Sequence, residues 1–95
     1  MSNIENIKQN IKDNGLDLLA GEFISPSDLQ DILSDIGYRK GDINNDDSEE
    51  WYSIVVDNFN GALVDFRTIS PDNEEYRIII NSLSGTDMVE AIELL

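Results

Sequence analysis

The chain has 95 residues and a strongly acidic composition, with twenty Asp and Glu against six Lys and Arg and a net charge of -14. This length supports one modest hydrophobic core, so we expect a single domain spanning residues 1–95. Nucleic acid and anionic membranes would both repel such a charge. We therefore expect no direct binding to either, and a basic protein surface as the partner.

The residue types that are missing limit the chemistry further. There is no Cys and no His, which excludes thiolate nucleophiles, disulfides, thiolate zinc sites and imidazole bases. The N-terminal stretch MSNIENIKQN lacks the apolar region of a signal peptide, and no run approaches the ~18 apolar residues of a transmembrane helix. We expect a cytoplasmic protein. Apolar residues make up 40% of the chain, which favours a folded domain over a disordered acidic tail.

An amphipathic helix is predicted at the N-terminus. Ser2 and Glu5 have the spacing of a capping box, in which each side chain bonds the backbone near the other. Gly15 is a suitable end, because glycine readily adopts the left-handed conformation that follows many helices. The apolar face of this helix consists of Ile4, Ile7 and Ile11.

A second helix is expected to begin after Ser25, with Pro26 at its first position, and to end at Gly37. Its apolar side consists of Leu29, Ile32, Leu33 and Ile36. The opposite side carries carboxylates and no Lys or Arg. At about 100° per residue, three of them fall within an arc of roughly 60°. These are Asp28, Asp31 and Asp35.

Three strands are predicted next, over residues 51–57, 62–69 and 75–81, with turns around Asn60 and Pro71. A three-residue loop ending at Gly61 would pair Ile54 with Phe66. This register predicts a core face of alternating apolar residues. The predicted core face is Tyr52, Ile54, Val56, Val64, Phe66, Tyr76, Ile78 and Ile80, and the opposite face includes Trp51, Val55, Leu63, Asp65, Arg67, Arg77 and Ile79.

The last predicted element is a third helix. Ser84 and Asp87 repeat the capping-box spacing, and the apolar residues after them recur at helical intervals. Those residues are Met88, Val89, Ile92 and Leu95. The predicted order is α-α-β-β-β-α: an α+β domain in which helices pack on one face of a three-stranded antiparallel sheet.

The segment GDINNDDSEE, residues 41–50, contains the D-x-N-x-D pattern of a calcium loop. A loop starting at Asp42 would need glycine at its sixth position and a carboxylate at its twelfth. Those positions are Asp47 and Ser53. We therefore expect no metal site and no cofactor.

A carboxylate-dependent nuclease would need neither His nor Cys, and Asp72 with Glu75 superficially matches a PD...ExK set. Arg77 occupies the position of the catalytic Lys, however, and a guanidinium cannot lose its proton as an ammonium can. The two halves of the motif are also separated by a single turn. We expect no enzymatic activity.

Taken together, the global features of this chain resemble a known class of proteins. They are a length below a hundred residues, strong acidity, no Cys or His, and an antiparallel sheet flanked by helices beside a carboxylate-rich loop. Small acidic inhibitors encoded by bacteriophages, including anti-CRISPR proteins and other DNA mimics, are similar in these respects. The resemblance implies binding to the basic nucleic-acid channel of a nuclease complex in a bacterial host. It rests on no diagnostic motif, so no residue is carried over from that class.

From the residues themselves, we predict a partner-binding surface in which carboxylates stand in for phosphates. Its predicted members are Asp28, Asp31, Asp35, Asp42, Asp46, Asp47, Glu49 and Glu50, with Trp51 and Tyr38 as aromatic anchors. Packing in the core is the alternative for both aromatic residues. The prediction depends on the second helix and the acidic run sharing one face of the domain.

Two other functions fit the same sequence. An immunity protein that neutralises a basic nuclease toxin would use nearly the same acidic chemistry. A structural or adaptor module would instead self-associate through apolar residues of the open sheet face, Val55, Leu63 and Ile79. We accordingly expect either a monomer or a homodimer.

Overall fold

The computed structural model describes residues 3–43, 49–58, 61–82 and 87–95. Within these ranges the chain forms two α-helices and a sheet of five antiparallel strands, so the predicted α+β class is confirmed. The predicted three-stranded sheet is wrong, because residues 39–40 and 88–94 also pair with it. The helices are α1 (Asn3–Asn14) and α2 (Pro26–Asp35), with a 3₁₀ helix (Gly15–Leu19) after α1. The strands are β1 (Arg39–Lys40), β2 (Tyr52–Asn58), β3 (Gly61–Ile69), β4 (Glu75–Asn81) and β5 (Met88–Leu94).

Local signals place α2 where the sequence predicts it. The side chain of Ser25 accepts a hydrogen bond from the backbone N–H of Asp28 at 3.2 Å, and Pro26 occupies the first turn, where its missing N–H costs nothing. Gly37, just past the helix, has a φ of +96°, a conformation that favours glycine. The predicted cap of α1, Ser2, lies outside the described residues.

One hydrophobic core joins both helices to the sheet. Ile7 and Ile11 of α1 and Leu29 and Leu33 of α2 are buried together with alternate residues of the strands. The buried strand residues are Val64, Phe66, Ile78, Ile80 and Val89. Phe66 is fully buried near the middle of β3, so truncating it would open a cavity in this core.

The predicted third helix is wrong, because the C-terminal segment is strand β5, paired with β4. Ile92 lies opposite Ile78 and Val89 opposite Ile80, and the register shifts by one residue between them. The extra residue brings Val89 and Ile92, three positions apart, to the same side of the strand. A bulged strand therefore reproduces the spacing that predicts a helix. The predicted cap residue Ser84 lies outside the described residues.

The predicted register of the first hairpin is also wrong. Tyr52, not Ile54, lies opposite Phe66, and the register shifts again after Ile54. The ring of Tyr52 stacks on that of Phe66, with centroids 6.1 Å apart and planes 7° from parallel. Ile54, which the sequence analysis assigns to the core, is 60% exposed. Ile54 pairs with the buried Val64 ahead of the register shift, so the bulge does not account for its exposure.

Strands β1 and β2 lie on the same side of β3 and are separated by the acidic run. Both ends of that run are bonded to one residue: the N–H of Arg67 donates to the carbonyl of Trp51 at 2.9 Å, and its carbonyl accepts from the N–H of Gly41 at 3.1 Å. A Cβ at position 41 would lie 2.8 Å from the carbonyl carbon of Arg67, so this approach requires glycine. The described residues on either side of the acidic run, Gly41 and Trp51, thus meet β3 at a single residue.

Candidate partner-binding surface

The carboxylates of α2 are exposed, as predicted, but they differ in their partners. Asp35 accepts a hydrogen bond from Nζ of Lys8 on α1 at 3.2 Å, so its charge is partly neutralised. Asp28 and Asp31 are exposed one helical turn apart. Among the residues that the structure describes, neither forms an ion pair. These two charges are therefore available to a basic partner.

The C-terminal end of the acidic run is attached to α2 through Gln30. Its Nε2 donates to the carbonyl oxygen of Glu49 at 3.2 Å, and its Oε1 accepts from the backbone N–H of Trp51 at 3.0 Å. A glutamine amide can make both bonds at once, because it carries a donor and an acceptor on one planar group. Glu49 and Glu50, both exposed, are thereby placed beside the helix.

Tyr52 provides a second sign that the helix and the run are close. Its hydroxyl donates to Oε2 of Glu50 at 3.2 Å. Burial raises the pKa of Tyr52, and the negative charges of Glu50 and Asp31 raise it further. The phenol of Tyr52 is therefore close enough to a carboxylate of α2 and to one of the acidic run for both to act on its pKa. These two carboxylates lie on the same part of the surface.

The other end of the run points elsewhere. The backbone N–H of Asp42 donates to Oε2 of Glu75 on β4 at 2.8 Å, and its carbonyl accepts from Nη1 of Arg67 at 3.4 Å. Asp46 and Asp47 lie outside the described residues. Of the eight predicted carboxylates, the structure brings together three, which we call the acidic surface: Asp31, Glu49 and Glu50. Asp28 is also exposed but lies about 160° from Gln30 around the helix axis.

The two predicted aromatic anchors are not on this surface in the way expected. Trp51 is 9% exposed and packs in the core against Phe66, with ring centroids 6.1 Å apart, so it presents little area to a partner. Tyr38 is half-buried beside the β3–β4 turn. The hydroxyl of Tyr52 lies next to the acidic surface instead. The alternation of apolar residues assigns Tyr52 to the core, so this hydroxyl is not predicted there.

The face of β3 and β4 that carries Asp65 has a balanced charge. Asp65 is 9% exposed and accepts two hydrogen bonds from Arg67, at 2.9 and 3.2 Å. Arg77 lies 3.6 Å from the same carboxylate and 3.5 Å from Glu93 on β5. The hydrogen bond to Asp65 raises the pKa of Arg67, so this guanidinium remains charged. Two of the six cations are thus neutralised away from the acidic surface.

The described ranges contain no group of three carboxylates placed to hold a metal ion. None of their helices is long and apolar enough to cross a membrane. Comparisons with protein-family models, curated proteins and solved structures find no match for this chain.

Proposed function

We propose that this protein is a non-enzymatic inhibitor that binds the basic nucleic-acid-binding site of a bacterial nuclease complex, as anti-CRISPR proteins and other DNA mimics do. One observation carries the proposal: the side chain of Gln30 bonds the backbone on both sides of Glu50. These bonds bring exposed carboxylates from a helix and from an extended segment onto one surface. A partner that binds this surface contacts the carboxylates of both segments.

The spacing of these charges supports mimicry of a phosphate backbone. Asp28 and Asp31 are separated by about 4.5 Å of helix rise. Glu49 and Glu50 are consecutive residues, at most ~3.6 Å apart along the backbone of an extended chain. Phosphates along one DNA strand recur every ~3.4 Å. The sequence contains no Lys or Arg between residues 26 and 38 or between 41 and 66, so no cation from these segments interrupts the pattern.

The strength of such binding depends on several charges acting together. An exposed ion pair contributes only about 0.2–1 kcal/mol, and salt screens it over ~10 Å at 0.1 M ionic strength. Binding should therefore be fast, strongly weakened by salt, and sensitive to the loss of a few carboxylates.

The test is capture from a bacterial lysate at low salt with a matched pair of triple variants, each of which removes three negative charges. The first acts on the acidic surface and the second elsewhere. The changes are Asp31→Asn, Glu49→Gln and Glu50→Gln for the first variant, and Asp13→Asn, Glu22→Gln and Glu90→Gln for the second. We expect the wild type and the second variant to retain a basic nuclease that rising salt or added duplex DNA releases. Equal loss in both variants would mean that only net charge matters, and would contradict the proposal.

An immunity protein against a basic nuclease toxin is the alternative, and it would use the same acidic surface. The identity of the captured protein distinguishes the two functions. An immunity protein would capture a single toxin, encoded by a gene beside its own, and not a nuclease complex. Self-association remains a second alternative, since Val55 is 52% exposed. A dimer that survives high salt in light scattering would support it, and a strict monomer would remove it.

A further inference from the structure

A cleft of about 420 Å³ opens between the C-terminal end of α1 and the turn that joins β3 to β4. This volume lies within the range of about 300–1,000 Å³ that is typical of ligand sites. Apolar atoms of Ile11, Ile36 and Pro71 line part of it. The acidic surface is centred on Gln30, in the first half of α2, whereas the cleft lies beyond the end of that helix.

The polar part of the cleft includes two phenols and two carboxylates. Tyr38 and Tyr76 line it together with Asp72 and Glu74. The hydroxyl of Tyr76 donates to Oε1 of Glu74 at 3.2 Å. Burial raises the pKa of both tyrosines, and the charge of Glu74 raises it further, so both phenols are neutral beside these carboxylates near neutral pH. The cleft combines aromatic rings with negative charge.

The turn that carries the carboxylates is held in place by Ser70. This residue is 5% exposed, and its Oγ accepts hydrogen bonds from the backbone N–H groups of Asp72 at 3.2 Å and Glu74 at 3.1 Å. Its own N–H donates to the carbonyl of Glu74 at 2.8 Å. Because these bonds are all to the backbone, the main chain that carries the two carboxylates is held in place before any ligand arrives, which lowers the entropic cost of binding.

Two cations of the chain lie nearby without neutralising the cleft. Lys12 lines it, and Arg39 donates a hydrogen bond to the side chain of Asn73 in the turn. Among the described residues, no ion pair joins either cation to Asp72 or Glu74. The two carboxylates are therefore available to an external cation.

We propose that this cleft binds the guanidinium side chain of an arginine presented by a polypeptide. The rings of Tyr38 and Tyr76 provide cation–π contacts for the flat guanidinium, and Asp72 and Glu74 accept its N–H groups. The apolar lining contacts its three-carbon stem. Arginine fits better than lysine, because its planar fork stacks on rings and bonds carboxylates at the same time. This inference does not rest on the acidic surface.

The first test is a titration of the ¹⁵N-labelled protein with N-acetyl-arginine amide, followed by NMR. The control ligand is N-acetyl-citrulline amide, which has the same shape and no charge. We expect saturable shifts at the amides of Gly15, Gly37 and Ser70, which surround the cleft, and binding of citrulline at least about tenfold weaker. Equal shifts with citrulline, or arginine shifts confined to Gln30 and Trp51, would overturn the proposal.

Variants separate the cleft from general acidity. Glu74→Gln keeps the backbone bonds of the turn and removes one carboxylate, and we expect it to weaken arginine binding by about fivefold or more. Glu90→Gln removes one charge from β5, outside the cleft, and should change the affinity less than about twofold. The triple variant of the acidic surface should bind arginine as the wild type does, so each of the two proposals can fail without the other. Equal weakening by Glu74→Gln and Glu90→Gln would contradict a site in the cleft.

Discussion

Gln30 and Trp51 are joined by a hydrogen bond from the backbone N–H of the tryptophan to Oε1 of the glutamine, at 3.0 Å. The indole of the same tryptophan is buried against Phe66, so the bond connects the polar side of α2 to the hydrophobic core. The other end of the amide bonds the carbonyl of Glu49. One side chain therefore fixes where the acidic run meets α2.

Replacing Gln30 by Ala should destabilise the protein by about 1–2 kcal/mol, because the partly buried N–H of Trp51 loses its acceptor. Urea denaturation measures the change. Gln9→Ala is the matched control, since the side chain of Gln9 bonds that of Asp13 on the exposed side of α1, and it should cost at most about 0.5 kcal/mol. Equal costs for the two variants would show that the bonds of Gln30 do not contribute.

Gly41→Ala should destabilise the protein by about 3 kcal/mol, the upper part of the range for overpacking. The new Cβ would lie 2.8 Å from the carbonyl carbon and Cβ of Arg67 and from the backbone N of Thr68, and paired strand backbone cannot move aside easily. Gly15→Ala serves as the control. Its Cβ would meet nothing within 4 Å, and only its φ of +75° opposes alanine, at about 1–2 kcal/mol. Thermal unfolding measures the loss of stability in both variants. A smaller loss for Gly41→Ala than for Gly15→Ala would contradict this prediction.

Asp65→Asn should cost about 2 kcal/mol, because two guanidinium groups would lose a carboxylate that is 9% exposed. Breaking a fully buried ion pair costs about 3–5 kcal/mol, and the partial exposure of both arginines lowers that figure here. Glu93→Gln removes a half-exposed partner of Arg77 and should cost less than about 1 kcal/mol. Denaturant midpoints that fall equally would argue against a special role for Asp65.

All three tyrosines should titrate above the ordinary phenol pKa of about 10 in the folded protein, chiefly because burial disfavours the phenolate. The folded state then holds these protons more tightly than the unfolded state. Their contribution to stability is fully present below pH ~10 and is lost as the pH rises through the folded pKa values. Phenolate absorbance, recorded in buffer and in denaturing urea, measures the difference. A folded titration curve that coincides with the unfolded one would refute the expected shift.

Tyr38→Phe provides the matched variant for the alkaline loss. It removes one titrating phenol and should make the free energy of unfolding fall less steeply above pH ~10 than in the wild type. Near pH 7, where every phenol is protonated, the pH dependence of stability should be unchanged. A variant that loses stability at high pH as steeply as the wild type would mean that the phenol of Tyr38 does not contribute.

Local signals predicted those parts of the fold that depend on neighbouring residues. The Ser25 cap, Pro26 and Gly37 bound α2 correctly, because capping and left-handed glycine are decided within a few residues. β5 was not predicted, because Val89 and Ile92 have helical spacing. Only the pairing with β4 shows that the strand between them contains a one-residue bulge. The same limit applies to the pairing of Tyr52 with Phe66, which contacts between strands decide and the alternation within either strand does not.

For the candidate site, the sequence by itself determined the charge, the absence of Cys and His, and the exposed carboxylates Asp28 and Asp31 on one side of a helix. Composition and the period of the helix are sufficient for these. Only the tertiary structure decided that Glu49 lies beside α2, through a bond from Gln30 nineteen positions earlier in the chain. It also decided that Asp42 is held by Glu75 instead. Contacts between residues far apart in sequence depend on how elements pack, and the local pattern of neither segment contains that information.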